Sequence, residues 1–228
     1  MAAPGPRGLP GRQVLARPGP WSWRTPALIP NSRSFVLARK SQLAGDMHDV
    51  AGALDLADAA VAAGQAHRRL VGVAMTYGAH GHALDGLHKA SMLALDGAHA
   101  QLGRSACDDP PARMARWLDE SYIEVQRARC LSVLGRHPAA AAIFERALEA
   151  LPADYRRDRG VYLARAGRAH ASSGQPELAV AAGTQAMAIA HQTGSGRIIT
   201  ELATLNNDLA RWKTMSLVTE FREALSLA

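Results

Sequence analysis

The chain is expected to fold as an all-α, right-handed superhelical array of antiparallel helical hairpins. From Asn31 onward it is rich in Ala and Leu, punctuated by Gly, and poor in aromatic and β-branched clusters, the profile of a helical domain. Small residues also recur at matched distances from Gly45, Gly86, Gly135 and Gly174: Ala38, Ala79, Ala128 and Gly167 lie seven places earlier, and Ala57, Ala98, Ala147 and Ala186 twelve places later. Five places after each glycine stand Val50, Ser91, Ala140 and Ala179. A glycine ends a helix without a Cβ penalty, and small side chains let two helices approach, so each unit reads as a hairpin. Such hairpins complete their cores only by stacking on neighbours.

Residues 1–30 hold seven of the twelve prolines, so a tail without a sustained hydrogen-bond ladder is expected there, followed by a repeat domain over 31–228. Asn31 is the expected cap of the first helix, with Phe35, Val36 and Leu43 on its buried face. Asp46 is expected to begin the next helix, whose face continues through Leu54, Ala57 and Val61. The second unit runs from about Arg68 to Gly103. In the third, Met114, Trp117, Leu118, Tyr122 and Val125 form one stripe. Pro138 then opens a helix with Ile143, Phe144, Ala147, Leu148 and Leu151 inward, and Pro152 closes it.

From Arg156 the pattern reads helix, turn, helix, turn, helix, with Gly174 and Gly194 as stops and Ser195 as a cap. Ile198, Leu202, Leu205, Leu209 and Trp212 then follow at spacings of four, three, four and three, a single apolar seam that Val218, Phe221 and Leu225 continue. These last helices are expected to cap the array. The seam would meet either the preceding hairpin or a second chain.

The formal charge of +6 is concentrated at one end: residues 1–30 contain Arg7, Arg12, Arg17 and Arg24 and no acid, which leaves 22 basic against 20 acidic residues in the rest. A near-neutral repeat region gives no electrostatic footprint for nucleic acid. Trp21 and Trp23 beside Arg24 are read as part of an incidental extension rather than a base-stacking site. The longest apolar runs are far too short to span a bilayer, and two cysteines without metal or disulfide spacing fit a reducing compartment, so a cytoplasmic protein is expected.

The third unit resembles a tetratricopeptide repeat, with Ala128, Gly135, Ala140, Phe144, Ala147 and Pro152 in the order and spacing of that signature. The fourth matches at Gly167, Gly174, Ala179 and Ala186, with Gly183 in place of the aromatic. A narrower resemblance covers roughly residues 110–228. The run from Arg157 to Arg197 and the ending VTEFREALSLA are similar to the C-terminal helical-repeat half of actinomycete regulators of the Xre type. It implies a regulatory or interaction module whose DNA-reading helix-turn-helix is missing, so that DNA is reached only indirectly, through that missing domain or a partner.

In tetratricopeptide arrays the first helix of each hairpin lines a concave, peptide-holding groove. That resemblance places Arg39, His80, Arg129 and Arg168 on the groove, with Tyr122 and Val125 as apolar neighbours. A ladder of cations would take an extended acidic peptide or a terminal carboxylate through charge-assisted hydrogen bonds. His80, His82, His88 and His99, with Asp85 and Asp96, match no standard zinc spacing, and no metal or other cofactor is implied. Cys107 reads as a loop thiol and Cys130 as a small core residue. There is no phosphate loop, nucleophile elbow or metalloprotease helix. The expected function is therefore non-catalytic binding of a protein or peptide, as the regulatory part of a transcriptional regulator. The alternatives are a stand-alone adaptor or a small-molecule sensor, and a homo-oligomer is among the allowed assemblies.

Overall fold

The computed structural model describes residues 29–65, 67–105 and 114–226, and within α1 nothing is described of the side chains of 29–31. Helices α1 (Ile29–Asp46) and α2 (Val50–Ala63) form the first hairpin, α3 (Arg68–Leu84) and α4 (His88–Gly103) the second, α5 (Glu120–Val133) and α6 (His137–Ala150) the third. The fourth pairs α7 (Arg156–Ser172) with α8 (Pro176–Thr193), and α9 (Gly196–Asp208), a 3-10 turn (Leu209–Trp212) and α10 (Ser216–Ser226) close the array. In the second, third and fourth hairpins the first helix packs on its own partner and on the hairpin before it. The fold is all-α, with consecutive hairpins stacked as TPR-like repeats.

The turns set the register. Gly86, Gly135 and Gly174 have φ of 75°, 73° and 81°, and in each case the next residue's amide donates five residues back: Leu87 to His82, Arg136 to Leu131, Gln175 to His170. These are Schellman closures. In the first hairpin the equivalent bond runs from Asp49 to the Ala44 carbonyl, and the left-handed residue is His48, at φ 61°. Gly45 lies inside α1, three residues before the turn that its glycine identity suggests.

Several expectations change with that shift. Asp46 ends α1 instead of starting α2, and it is the Asp49 carboxylate that caps α2 by accepting from the Gly52 amide at 3.0 Å. Asn31 lies within α1 rather than ahead of it. The residues that truly match Ala79, Ala128 and Gly167 and their partners Ser91, Ala140 and Ala179 are Ser41 and Ala53, both buried, not Ala38 and Val50. Val36 and Leu43, expected inside, are 50% and 58% exposed. The buried face of α1 is Ser34, Ala38, Ser41 and Ala44.

The stripe expected from Met114 to Val125 is not one helix. A 3-10 turn at 114–115 continues into a turn at 116–117, and α5 begins only at Glu120, where the Asp119 carboxylate accepts from the Tyr122 amide at 2.7 Å. Ala115 and Leu118 are buried, and Arg69 donates to both of their carbonyls, pinning this connection against α3. Cys107 and the tail over 1–28 lie outside the described residues.

The C-terminal seam meets the preceding hairpin. Ile198, Leu202, Leu205 and Leu209 are fully buried against α7 and α8, and Val218 and Phe221 of α10 are buried beside them. Ser195 occupies the cap position of α9 without a side-chain cap bond, and Gly194 takes the left-handed C-cap at φ 59°. No helix among the described residues is long and apolar enough to cross a membrane.

Candidate functional site

The first helices of the hairpins wall an elongated cavity of about 1060 Å³. Arg39 comes from α1, His80 from α3, Tyr122, Val125 and Arg129 from α5 and Arg168 from α7, and all six line it. The register of the turns separates them into two rows. His80, Arg129 and Arg168 each stand six residues before their turn residue, and Gln42 holds that place in α1. Arg39 instead stands nine before His48, level with Tyr77, Gln126 and Arg165.

The cations differ in what they have to offer. His80 is 5% exposed, packed against Gly45, where a Cβ would come within 2.9 Å of its ring. Burial, then the nearby Arg129, Arg165 and His48, hold its pKa down to about 3, so it is a neutral wall residue and not a rung of charge. Arg129 forms an ion pair with Asp46, and burial followed by Arg165 pushes its guanidinium below the usual range. Arg165 and Arg168 converge on Glu201, with Arg165 Nη2 at 2.6 Å from Oε1 and Arg168 Nη1 at 3.2 Å from Oε2, and Arg168 Nε also donates to Asp208 at 3.0 Å. Burial alone would raise Glu201, but the two arginines outweigh it and leave the carboxylate below its ordinary range.

Arg39 stands apart. Its Nη1 donates to the Tyr77 hydroxyl at 3.1 Å, and among the described residues it has no carboxylate partner, nor have Arg116 and Arg197, which also line the cavity. Next to it lies an aromatic shelf: Trp117 meets Tyr122 edge-on with centroids 4.7 Å apart and Tyr77 at 6.5 Å, while the two tyrosine hydroxyls are 3.4 Å apart. Burial and then Tyr77 raise the Tyr122 phenol well above its usual range, so it stays protonated and able to donate. Val125 is 1% exposed and forms the apolar floor beneath.

Trp117, Arg165, Glu201 and Asp208 are groove residues that repeat spacing alone does not single out. Arg165 was within reach, since it lies one helical turn before Arg168 and thus on the same face. Trp117 was not, because the connection that presents it has no counterpart in the other hairpins. Among the described residues no three His, Cys, Asp or Glu side chains are placed to hold a metal ion, and His99 instead contacts Glu124 at 3.1 Å.

A groove walled by the first helices of stacked hairpins defines the molecule as a TPR-like helical-repeat module. The chain superposes on the crystal structure of nearly identical TPR-like repeats ascribed to a kinesin light chain of Podosopora anserina, with a TM-score of 0.56 at 16% identity, covering 86% of this chain and 95% of that one. This likeness is one of fold. No family model matches the sequence, and no curated protein matches it.

Proposed function

We propose that the groove binds an extended segment of another protein, with acidic side chains directed to the Arg39 end and an apolar side chain on the shelf formed by Trp117 and Tyr122. The observation that carries this reading is the unequal pairing of the arginines. Arg129, Arg165 and Arg168 already face carboxylates of the chain itself, whereas Arg39 and Arg116 open onto the same cavity with none among the described residues. A carboxylate brought to them gains charge-assisted hydrogen bonds without displacing an internal partner. Arg39, His80, Tyr122, Val125, Arg129 and Arg168 together form the contact wall, the sheltered members shaping it and Arg39 supplying the free charge.

Fluorescence anisotropy with an Asp- and Glu-rich peptide mixture, set against its Asn and Gln counterpart, tests the reading. Arg39→Glu is expected to weaken binding at low salt by about tenfold, the scale of one charge-assisted bond, with an unchanged melting curve. Undiminished binding by Arg39→Glu, or equal binding of the neutral peptides, overturns it. The regulatory role rests on the resemblance of residues 110–228 to Xre-type regulators. It is tested by the genomic sequence upstream of Met1, where an in-frame helix-turn-helix is expected and its absence favours a stand-alone adaptor.

A further inference from the structure

The exposed side of α1 is a stacking face on which no other described helix packs. Arg33, Val36, Lys40, Leu43 and Met47 follow one another at spacings of three, four, three and four, a continuous stripe along the helix and into its turn. Val36, Leu43 and Met47 are 50%, 58% and 72% exposed, and Arg33 and Lys40 are exposed between them.

The turn register shows what this stripe is for. Counting from His48, Gly86, Gly135 and Gly174, Val36 corresponds to Ala74, Ile123 and Tyr162, all buried. Leu43 corresponds to Gly81, Cys130 and Ala169, and Lys40 to Gly78, Arg127 and Ala166. Of these six, only Arg127 is not fully buried. Wherever the contact is specified it is with the second helix of the preceding hairpin. A Cβ on Gly78 would meet Ala57, one on Gly81 would meet Leu54, and Arg127 reaches Met92 and Asp96. The natural occupant of the α1 stripe is therefore a second helix of a hairpin, and the basic residues between its apolar ones call for acidic residues on that helix.

The chain's own preceding residues have the wrong sign, four arginines and no acid within the first thirty. The other end of the array has the right one. Helix α10 packs on α8 at the far end of the array, and Leu217, 38% exposed, lies on its open surface with Glu220, Glu223 and Ala224. We infer that one copy of the chain lays the open, acidic face of α10 against the basic and apolar stripe of α1 of the next. Leu217 meets the Val36, Leu43 and Met47 stripe, and Glu220 and Glu223 face Arg33 and Lys40. Such a contact is head to tail, so it propagates unless it closes into a ring. Two α1 faces meeting about a two-fold axis would instead oppose like charges.

Sedimentation velocity on the full chain, over about a hundredfold range of concentration, reads the assembly by mass action. The expected weight-average mass rises with concentration past that of a dimer. Leu43→Glu combined with Met47→Glu is expected to remain monomeric, as is Lys40→Glu at low salt, and Lys40→Glu with Glu220→Lys in one chain is expected to recover association. These side chains are exposed, so unchanged melting curves verify that each variant folds. A wild-type monomer at every concentration overturns the inference, and so does a plateau at two copies that Glu220→Lys leaves unaltered.

Discussion

The two halves of the array close their hairpins by different means at the same place. In the first two hairpins a serine hydroxyl bridges the helices where they cross: Ser41 donates to the Ala53 carbonyl at 2.7 Å, and Ser91 donates to the Ala79 carbonyl at 2.8 Å. These are one equivalent pair of positions, with the serine on α1 in one case and on α4 in the other. In the third and fourth hairpins the pair is Ala128 with Ala140 and Gly167 with Ala179, and no hydroxyl is present. At Gly167 the helices come so close that a Cβ would lie 3.0 Å from the Ala179 carbonyl oxygen. The fourth hairpin is held from outside the crossing, by the α9 leucines. Close approach is thus secured by a directed hydrogen bond in the first two hairpins and by a large apolar side chain filling glycine notches in the fourth.

The greatest loss is expected from Leu205→Ala. Leu205 is fully buried, and its Cδ2 fills the space beside Gly167 and Gly183, where added Cβ atoms would fall 3.1 and 2.7 Å from it. Truncation removes the transfer energy and leaves a cavity between three helices, about 3 to 4 kcal/mol. Urea denaturation checks the value. A cost below about 1.5 kcal/mol, the range of tolerated apolar swaps, would show that α9 contributes little to closing the C-terminal half.

Glu201→Gln comes next. Glu201 is 13% exposed on its side chain and joins α9 to α7 through Arg165 and Arg168. Its loss leaves Arg165, equally sheltered, without a carboxylate, at about 2 to 3 kcal/mol for a pair that keeps some contact with water. Because the folded pKa of Glu201 lies below its unfolded value, its stabilisation is fully present above about pH 4.3 and lost as pH falls through the folded pKa. His80 adds an earlier loss. Buried neutral, with its pKa near 3, it opposes folding progressively as pH falls below about 6.5, where the unfolded chain takes up the proton. Denaturation midpoints of the wild type are expected to decline from about pH 6.5 and more steeply below about pH 4.3. Glu201→Gln keeps the first slope and loses part of the second, and an unchanged acid limb sinks the assignment.

The same comparison shows where sequence reading reached its limit. The hairpins from α3 to α8 were legible because Gly86, Gly135 and Gly174 do what glycine does best, taking a left-handed turn at no steric cost. The first hairpin was read three residues out of register because a histidine takes that conformation and Gly45 serves instead to admit the His80 ring. The three-residue shift turns Val36 and Leu43 outward and places Arg39 level with Tyr77 instead of His80. All six residues expected on the groove line the cavity, because they lie on the first helices of the hairpins or on their open side. Which arginines are free was not legible, because Asp46 and Arg129 are 83 residues apart and only packing brings them together. The C-terminal seam was the most legible element, because four large aliphatic residues at helical spacing leave only one face to bury.

Ser41→Ala gives the smallest effect and isolates the hydroxyl most cleanly. Ser41 is fully buried, its partner is the carbonyl of Ala53 on the facing helix, and alanine occupies the equivalent place in α3 and α5, so the substitution adds no strain. The lost hydrogen bond costs about 1 kcal/mol, and the better helix propensity of alanine returns up to about 0.5 kcal/mol. A net loss of about 0.5 to 1 kcal/mol is expected, measured by urea denaturation. Ser91→Ala should add to it independently, because the two bonds lie in different hairpins and share no partner. Introducing the bond where the protein lacks it, by Ala128→Ser, supplies the converse arm. If both removals are neutral, the N-terminal crossings are held by small-residue contact alone, as in the C-terminal half, and the two halves do not differ in mechanism.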